Sequence, residues 1–284
     1  MSSSGDGARR GRVVVIGTPI GNLGDLSPRA VEALGAADVV ACEDTRRTGR
    51  LIASAGIERP RLLRLDDHTE ATSAPGLVEL ARSGAVVAVV SDAGMPGLSD
   101  PGALVVAEAV RAGVDVEVVP GPFAGAVAAV GSGLLDPSGR FCFEGFLPRK
   151  GPVRRERIAA LVDERRAVVL YEAPHRLAAT LADLAAALGP DRRVALCREL
   201  TKMHEELWRG SLAEAVEHCE QVEPRGEYVV VLEGAEPPPD ATDDELWAAV
   251  DAELAGGASR RDAAAAVAER FGVPPNRVKR LLND

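Results

Sequence analysis

Six consecutive apolar residues, Ala85–Val90 (AVVAVV), run straight into the twelve residues Ser91–Gly102 (SDAGMPGLSDPG). No other feature constrains the fold of this chain as much. An unbroken run of small and β-branched residues predicts a central strand buried on both faces. The segment after it holds three glycines, two prolines and two aspartates, so it cannot continue as a helix. A plain turn needs only about two to five residues. The extra length puts bare backbone and two carboxylates, Asp92 and Asp100, at the carboxyl end of a buried strand. Open α/β sheets bind ligands at that place.

The flanking sequence alternates between strand and helix patterns. Arg12–Ile16 (RVVVI), Asp38–Cys42, Arg61–Leu65 and Val116–Val119 read as further strands, with helices over Pro28–Leu34, Ala74–Ser83 and Ala103–Ala112. Such alternation predicts a mostly parallel sheet with helices on both faces. Pro120-Gly121-Pro122 then breaks the chain. Beyond it, strands at Arg140–Phe146, Ala167–Tyr171, Arg193–Cys197 and Tyr228–Leu232 mix with helices over 150–165, 175–188 and 211–220, a second α/β domain. A proline-rich linker, GAEPPPD, precedes helices over Asp243–Leu254, Ser259–Gly272 and a third in VPPNRVKRLL. That last unit has the pattern of a helix-turn-helix. The expected division is a tail at 1–12, domains at 13–120 and 121–234, a linker at 235–241 and a small helical unit at 242–284.

Length and composition narrow the class. The 284 residues, 46% of them apolar, suffice for two cores. No apolar stretch approaches the roughly twenty residues of a membrane span. The first twelve residues lack an apolar centre and read as a disordered tail rather than a secretory signal. Cys42, Cys142, Cys197 and Cys219 are widely spaced, which fits reduced thiols in the cytoplasm better than disulfides or zinc. The net charge of −10 argues mildly against nucleic acid, but local patches matter more than the sum. Seven basic and three acidic residues between Arg149 and Arg166 make one such patch, a candidate phosphate-contacting strip.

Several chemistries lack their parts. The first loop, GTPIGNLGDL, carries Gly17, Gly21 and Gly24 but does not match the dinucleotide pattern, and no phosphate-loop lysine follows it. His68 and His175 have no neighbouring nucleophile elbow, and no His/Cys cluster has metal-ligand spacing, so no metal is expected. What is left is several small-residue loops at strand ends, which suit a compact organic ligand held largely by backbone.

Taken in order, GTPIGNLGDLS, ACEDTRRTGRLI, DDHTE, SDAGMPGLSDPG, PGPFA, FCFEGFLPRK, YEAPHRL and RELTKMHEE closely resemble the small-subunit rRNA cytidine 2′-O-methyltransferases of the tetrapyrrole-methylase superfamily. The resemblance spans Val13 to Gly234. It implies a two-domain α/β methylase with S-adenosyl-L-methionine between the domains, working as a homodimer on a cytidine ribose of 16S rRNA in the small ribosomal subunit. Carried over residue by residue, it implies cofactor contacts at Pro19, Gly21, Asp92, Ala93, Gly94, Pro96, Gly121, Pro122, Ala124, Gly226, Tyr228 and Val229. The tetrapyrrole branch of the superfamily resembles G-x-G-x-G-D and GDP where this chain has GTPIGN and DAGMP, which favours RNA over a tetrapyrrole carbon. A non-catalytic ribosome-associated protein would have no need of the small-residue loops.

Transfer to a ribose hydroxyl calls for alignment and a proton acceptor. Glu43, Asp44 and a Lys202 of lowered pKa are the expected catalytic groups, with Asp100 and Glu172 as further acidic candidates. Asp44 also suits the N-cap of a helix from Thr45. Arg46, Arg47, Arg149, Lys150, Arg277, Lys279 and Arg280 are the expected RNA contacts.

Overall fold

The computed structural model describes residues 11–58, 60–236 and 241–282. The expected tail falls outside them up to residue 10, as does the expected linker over 237–240. The chain forms two compact units, one running to Ala235 and one from Glu236.

In the first unit, β1 (Arg12–Ile16), β2 (Val39–Cys42), β3 (Arg61–Arg64), β4 (Val86–Val89) and β5 (Asp115–Val119) make a sheet of order β3-β2-β4-β1-β5. All its pairs are parallel, with Val13 beside Val87 and Val40 beside Ala88. The AVVAVV run supplies β4, its centre, and every residue of β4 and β2 is buried. The RLLR sequence of β3 and the DVEVV of β5 expose residues because they occupy the edges.

Helices cover both faces. Val13, Val87 and Val89 pack under α3 (Glu70–Arg82) and α4 (Ala103–Arg111). Val14, Ala88 and Val90 pack under α1 (Pro28–Gly35). The helix after β1 and the helix after β4 therefore lie on opposite faces although the two strands are neighbours. That is a topological switch point, where loops part at the carboxyl ends and leave a crevice.

A second sheet follows, in the order β6-β7-β10-β8-β9, from β6 (Phe141–Phe146), β7 (Ala167–Glu172), β8 (Arg193–Arg198), β9 (Glu206–Ser211) and β10 (Tyr228–Leu232). Only β6 and β7 are parallel, so this sheet is mixed. Leu170, Leu196 and Leu232 pack with α6 (Pro152–Ala160), α7 (Pro174–Leu188) and α8 (Leu212–Gln221). The opposite face, with Val169, Ala195 and Val231, packs against α5 (Ala124–Ser132) and Ile20. Ile20 comes from the loop after β1, so one side chain joins the two halves.

Three local readings need correction. The α3 helix begins at Glu70 rather than Ala74, because Asp66 Oδ1 accepts the backbone N–H groups of His68 and Thr69 and starts the turn early. Neither α5 nor β9 stands out in the sequence. The α5 stretch, AGAVAAVGS, is almost wholly apolar and shows no amphipathic stripe. Finally, α6 stops at Ala160, well short of 165.

The second unit contains α9 (Asp243–Ala255), α10 (Arg260–Phe271) and α11 (Pro275–Leu281) around Leu246, Val250, Ala264, Val267 and Val278. Thr242 and Glu245 form a reciprocal capping box, and Gly272 ends α10 in the left-handed conformation.

Candidate functional site

Two main-chain bonds close the crevice at its base. Thr18 N–H donates to the Gly94 carbonyl over 2.9 Å, and Gly94 N–H donates to the Thr18 carbonyl over 3.1 Å. Thr18 Oγ1 donates to the Ser91 carbonyl. The loops after β1 and β4 are thereby stapled. Gly94 has φ of +85°, and a Cβ there would stand 3.4 Å from both Ile20 Cγ2 and the Pro122 carbonyl.

The loop after β4 is the shared wall of two cavities, each of about 320 Å³. The first is lined by Ile20, Ala93–Met95, Leu98–Asp100, Phe123 and Ala124 from the first half, and by Phe146, Tyr171–Pro174, Cys197, Leu200, Lys202 and Glu227–Val229 from the second. The other is lined by Thr18, Pro19, Gly21, Leu23, Arg47, Thr48, Arg50, Leu51, Ser54, Ser91 and Asp92. The first is mainly apolar, with few polar groups, and its size falls in the range of small-molecule sites. Edge-to-face contacts run from Phe123 to Phe143 to Tyr171 to Phe146, with centroids 5.0, 4.9 and 5.5 Å apart. Burial pushes the Tyr171 phenol up to about 12, so it stays neutral.

The expected cofactor residues divide into three groups. Ala93, Gly94, Ala124, Tyr228 and Val229 line the first cavity. Pro19, Gly21 and Asp92 line the second instead. The remainder support the walls. Gly121 backs onto Gly17 so closely that a Cβ would lie 2.7 Å from its backbone, and Gly226 is pressed against the Glu199 carboxylate. Pro96 is buried, and Pro122 offers its carbonyl to the Gly94 contact. Ile20, Met95, Phe123, Tyr171 and Leu200 are cavity residues that motif reading missed, since apolar side chains carry no chemical signature.

Asp92 turns away from the first cavity because it is held elsewhere. Its Oδ1 accepts from Asp44 N–H over 3.1 Å, its Oδ2 lies 3.3 Å from Arg47 Nη1, and its own N–H donates to Glu43 Oε1. The ends of β2 and β4 are thus clasped by reciprocal bonds.

The expected catalytic groups fare differently. Asp44 is the N-cap of α2 (Thr45–Ser54), accepting from Arg46 and Arg47 N–H, and these bonds hold its carboxyl below the usual range. It is the capping residue of α2. Lys202 Nζ donates to Glu199 over 2.9 Å and to Glu227 over 2.8 Å. Desolvation works to lower its pKa, but these two carboxylates outweigh it and leave the pKa raised. The expected lowered pKa is therefore wrong, and the lysine is a fixed cation at the cavity edge. Glu43 is pushed up by burial while accepting from Asp92 N–H, and it lines neither cavity. Glu172 borders the first cavity, but its carboxylate is taken by Thr180 Oγ1, Ala173 N–H and Arg176. Asp100 is the remaining acid. Burial, then the charges of Glu43, Asp67 and Asp92, push its carboxyl up to about 7, while a Ser91 hydroxyl bond pulls it down.

The basic groups are also sorted. Arg46, Arg47 and Arg50 are exposed along α2, and Arg149 and Lys150 are exposed before α6. Arg154 is buried against Asp183, Thr180 and the Pro148 carbonyl, Arg157 pairs with Glu144, and Arg166 pairs with Glu164, so these three residues of the expected strip have partners within the fold. Arg277 is paired with Asp243 and donates to the Ala241 carbonyl, whereas Lys279 and Arg280 are exposed. Among the described residues no group of three or more His, Cys, Asp or Glu could hold a metal ion, and no helix is long and apolar enough to cross a membrane.

Residues 12–216 match the family of Tetrapyrrole (Corrin/Porphyrin) Methylases. The chain is 46% identical over 260 residues to the ribosomal RNA small subunit methyltransferase I of Mycobacterium tuberculosis, covering 91% of this chain and 89% of that one. It is 40% identical to the protein of the same name from Synechocystis, over 95% of this chain and 97% of the relative. A crystal structure of uroporphyrin-III C-methyltransferase from Thermus thermophilus, complexed with S-adenyl homocysteine, superposes with a TM-score of 0.57 at 21% identity. That match covers 78% of this chain and 97% of the other. The chain belongs to the tetrapyrrole (corrin/porphyrin) methylase family, among the ribosomal RNA small subunit methyltransferases I.

Proposed function

We propose that this chain methylates small-subunit rRNA with S-adenosylmethionine as donor, and that its target atom is the 2′-oxygen of a cytidine ribose in the decoding region of 16S rRNA. The observation that carries this reading is one loop, residues 91–100, forming a wall of both an apolar cavity and an arginine-edged cavity. The names of the relatives support the substrate, and the S-adenyl homocysteine of the Thermus enzyme supports the donor.

The first cavity fits such a donor. Ile20, Leu200 and Val229 offer apolar walls, and the backbone at Ala93–Met95 is bare because Gly94 carries no Cβ. Lys202, with Glu199 and Glu227, places fixed charge at its edge. When bound, the donor supplies a methyl group on a positively charged sulfur, and the protein is left with alignment and proton transfer.

The second cavity suits the sugar-phosphate backbone. Arg47 and Arg50 stand at it with the hydroxyls of Thr18, Thr48 and Ser54. Arg46, Arg149, Lys150, Lys279 and Arg280 extend the positive surface within their own units, so RNA binding relies on local patches despite the net charge of −10. The chain works as a homodimer in this reading. Val118 on the edge strand β5, and Val127 and Val130 on α5, leave apolar side chains in solvent that a second copy would cover. The cytoplasm is where such a substrate is found.

Titration with S-adenosylmethionine, followed by transfer of labelled methyl to purified 30S subunits, tests the reading. Binding and rRNA labelling are expected. Binding with label passing only to a tetrapyrrole would overturn the substrate, and no binding would overturn the activity.

A further inference from the structure

We infer that Asp100 is the proton acceptor of the reaction, taking the proton of the attacking hydroxyl inside the first cavity. The inference rests on the methyltransferase reading above.

The geometry carries it by placement. Asp100 lies in the wall of the first cavity, on the same loop as Ala93 and Gly94. Its position is fixed from both sides. Ser99 before it holds a left-handed φ of 66°, an uncommon conformation for a non-glycine residue. After Pro101, the Gly102 N–H donates to the buried Glu70 carboxylate over 2.7 Å, and Leu104 and Val105 donate to the same oxygen. Gly97 N–H closes the loop on the Pro101 carbonyl.

The other acidic groups of the site are committed. Asp44 caps α2, Glu172 is bonded on both oxygens, Asp92 clasps Asp44 and Arg47, and Glu43 accepts from Asp92 N–H. Among the described residues Asp100 forms no ion pair and caps no helix, and the Ser91 hydroxyl is the one hydrogen-bonding group that lowers its pKa. The carboxylates of Glu43, Asp67 and Asp92 raise its pKa, while Glu172, paired with Arg176, and Glu227, paired with Lys202, are the other charged residues in the same cavity wall. Its raised pKa suits a base that must hold a proton briefly near neutral pH.

The chemistry balances without another reagent. The 2′-oxygen forms a bond to the methyl carbon as the carbon–sulfur bond breaks. The bonding pair leaves with sulfur, giving neutral S-adenosylhomocysteine. The hydroxyl proton passes to the Asp100 carboxylate and then to solvent.

A carboxylate in the wall of the cavity that takes the donor also distinguishes a sulfonium from a thioether. Below its pKa Asp100 is neutral and shows no preference; above it, the anion favours the charged donor. In the wild-type protein the affinity ratio of S-adenosylmethionine to S-adenosylhomocysteine should therefore rise with pH between about 6 and 8, around the Asp100 pKa of about 7. The test is equilibrium titration of both ligands across this range in the wild type and in Asp100→Asn, with methyl transfer to 30S subunits measured in parallel. The variant is expected to bind S-adenosylhomocysteine as the wild type does, to lose the pH dependence of the ratio, and to transfer methyl at least about 100-fold more slowly. Wild-type transfer by Asp100→Asn, or an unchanged pH dependence of the ratio, overturns the inference. Loss of S-adenosylhomocysteine binding in step with rate also overturns it, assigning Asp100 to loop shape alone. A wild-type protein that shows the pH-dependent ratio but leaves 30S unmethylated overturns the substrate reading and leaves Asp100 beside the sulfonium.

Discussion

Thr18 and Gly94 exchange main-chain hydrogen bonds of 2.9 and 3.1 Å, which join the loops after the neighbouring strands β1 and β4 into one piece. Ala93–Met95 on this piece line the first cavity, proposed for the donor, while Thr18, Ser91 and Asp92 line the arginine-edged one. A single loop thus forms part of the walls of both cavities.

Gly94→Val tests that wall. The residue sits at φ +85° with Ile20 and Pro122 at 3.4 Å, so a β-branched side chain is both strained and obstructed. Strain alone costs about 1–2 kcal/mol. Calorimetric titration should find S-adenosylmethionine affinity reduced at least about tenfold; unchanged affinity would remove the loop from the cavity.

Asp92→Asn addresses the clasp rather than the donor. The change weakens the bonds to Asp44 N–H and Arg47, and a lost bond of this kind is worth about 1–3 kcal/mol. Chemical denaturation should register that loss, while donor affinity stays within about threefold, below the energy of one such bond. A large loss of donor affinity with full stability would return Asp92 to the donor cavity.

Arg47→Gln and Arg50→Gln should weaken 30S binding and leave donor binding intact. Each arginine that contacts a phosphate contributes about one unit to the slope of log affinity against log salt. Filter binding at several salt concentrations should give slopes shallower by about that amount, and identical slopes would move the RNA off this cavity.

Glu70→Ala should loosen the loop from below. One buried oxygen accepts three backbone N–H groups at the start of α4, and leaving them unpaired costs about 2–3 kcal/mol. Glu70→Gln keeps the accepting oxygen and should recover most of that stability in a urea titration. Equal losses in both variants would mean the bonds matter less than the charge.

Asp100 has a stability signature too. Its folded pKa, about 7, lies above the unfolded model value of 3.8, so the native state holds the proton more tightly. Stability is thus lost as pH rises from the unfolded value through the folded one. Asp100→Asn should remove this loss, becoming more stable relative to the wild type at pH 8 than at pH 5. Parallel pH curves for the two proteins would contradict the raised pKa.

The β4 strand and its loop were legible because unbroken β-branched residues and dense glycine have few structural outcomes. The Asp44 cap was legible for the same local reason, since a cap acts within three residues. What escaped was set over distance. Asp92 was expected at the donor, but its partner Asp44 lies 48 residues earlier in the chain. Lys202 was expected to lose charge, yet Glu227, from another strand's approach, holds the proton on it. The α5 helix left no periodic trace because it is apolar on nearly every side.

The most direct test of the account is mass-spectrometric mapping of 16S rRNA after incubating unmodified 30S subunits with the protein and S-adenosylmethionine. The account predicts one new 2′-O-methylcytidine in the decoding region. Methyl groups on a base, or no modification of the rRNA at all, would contradict it.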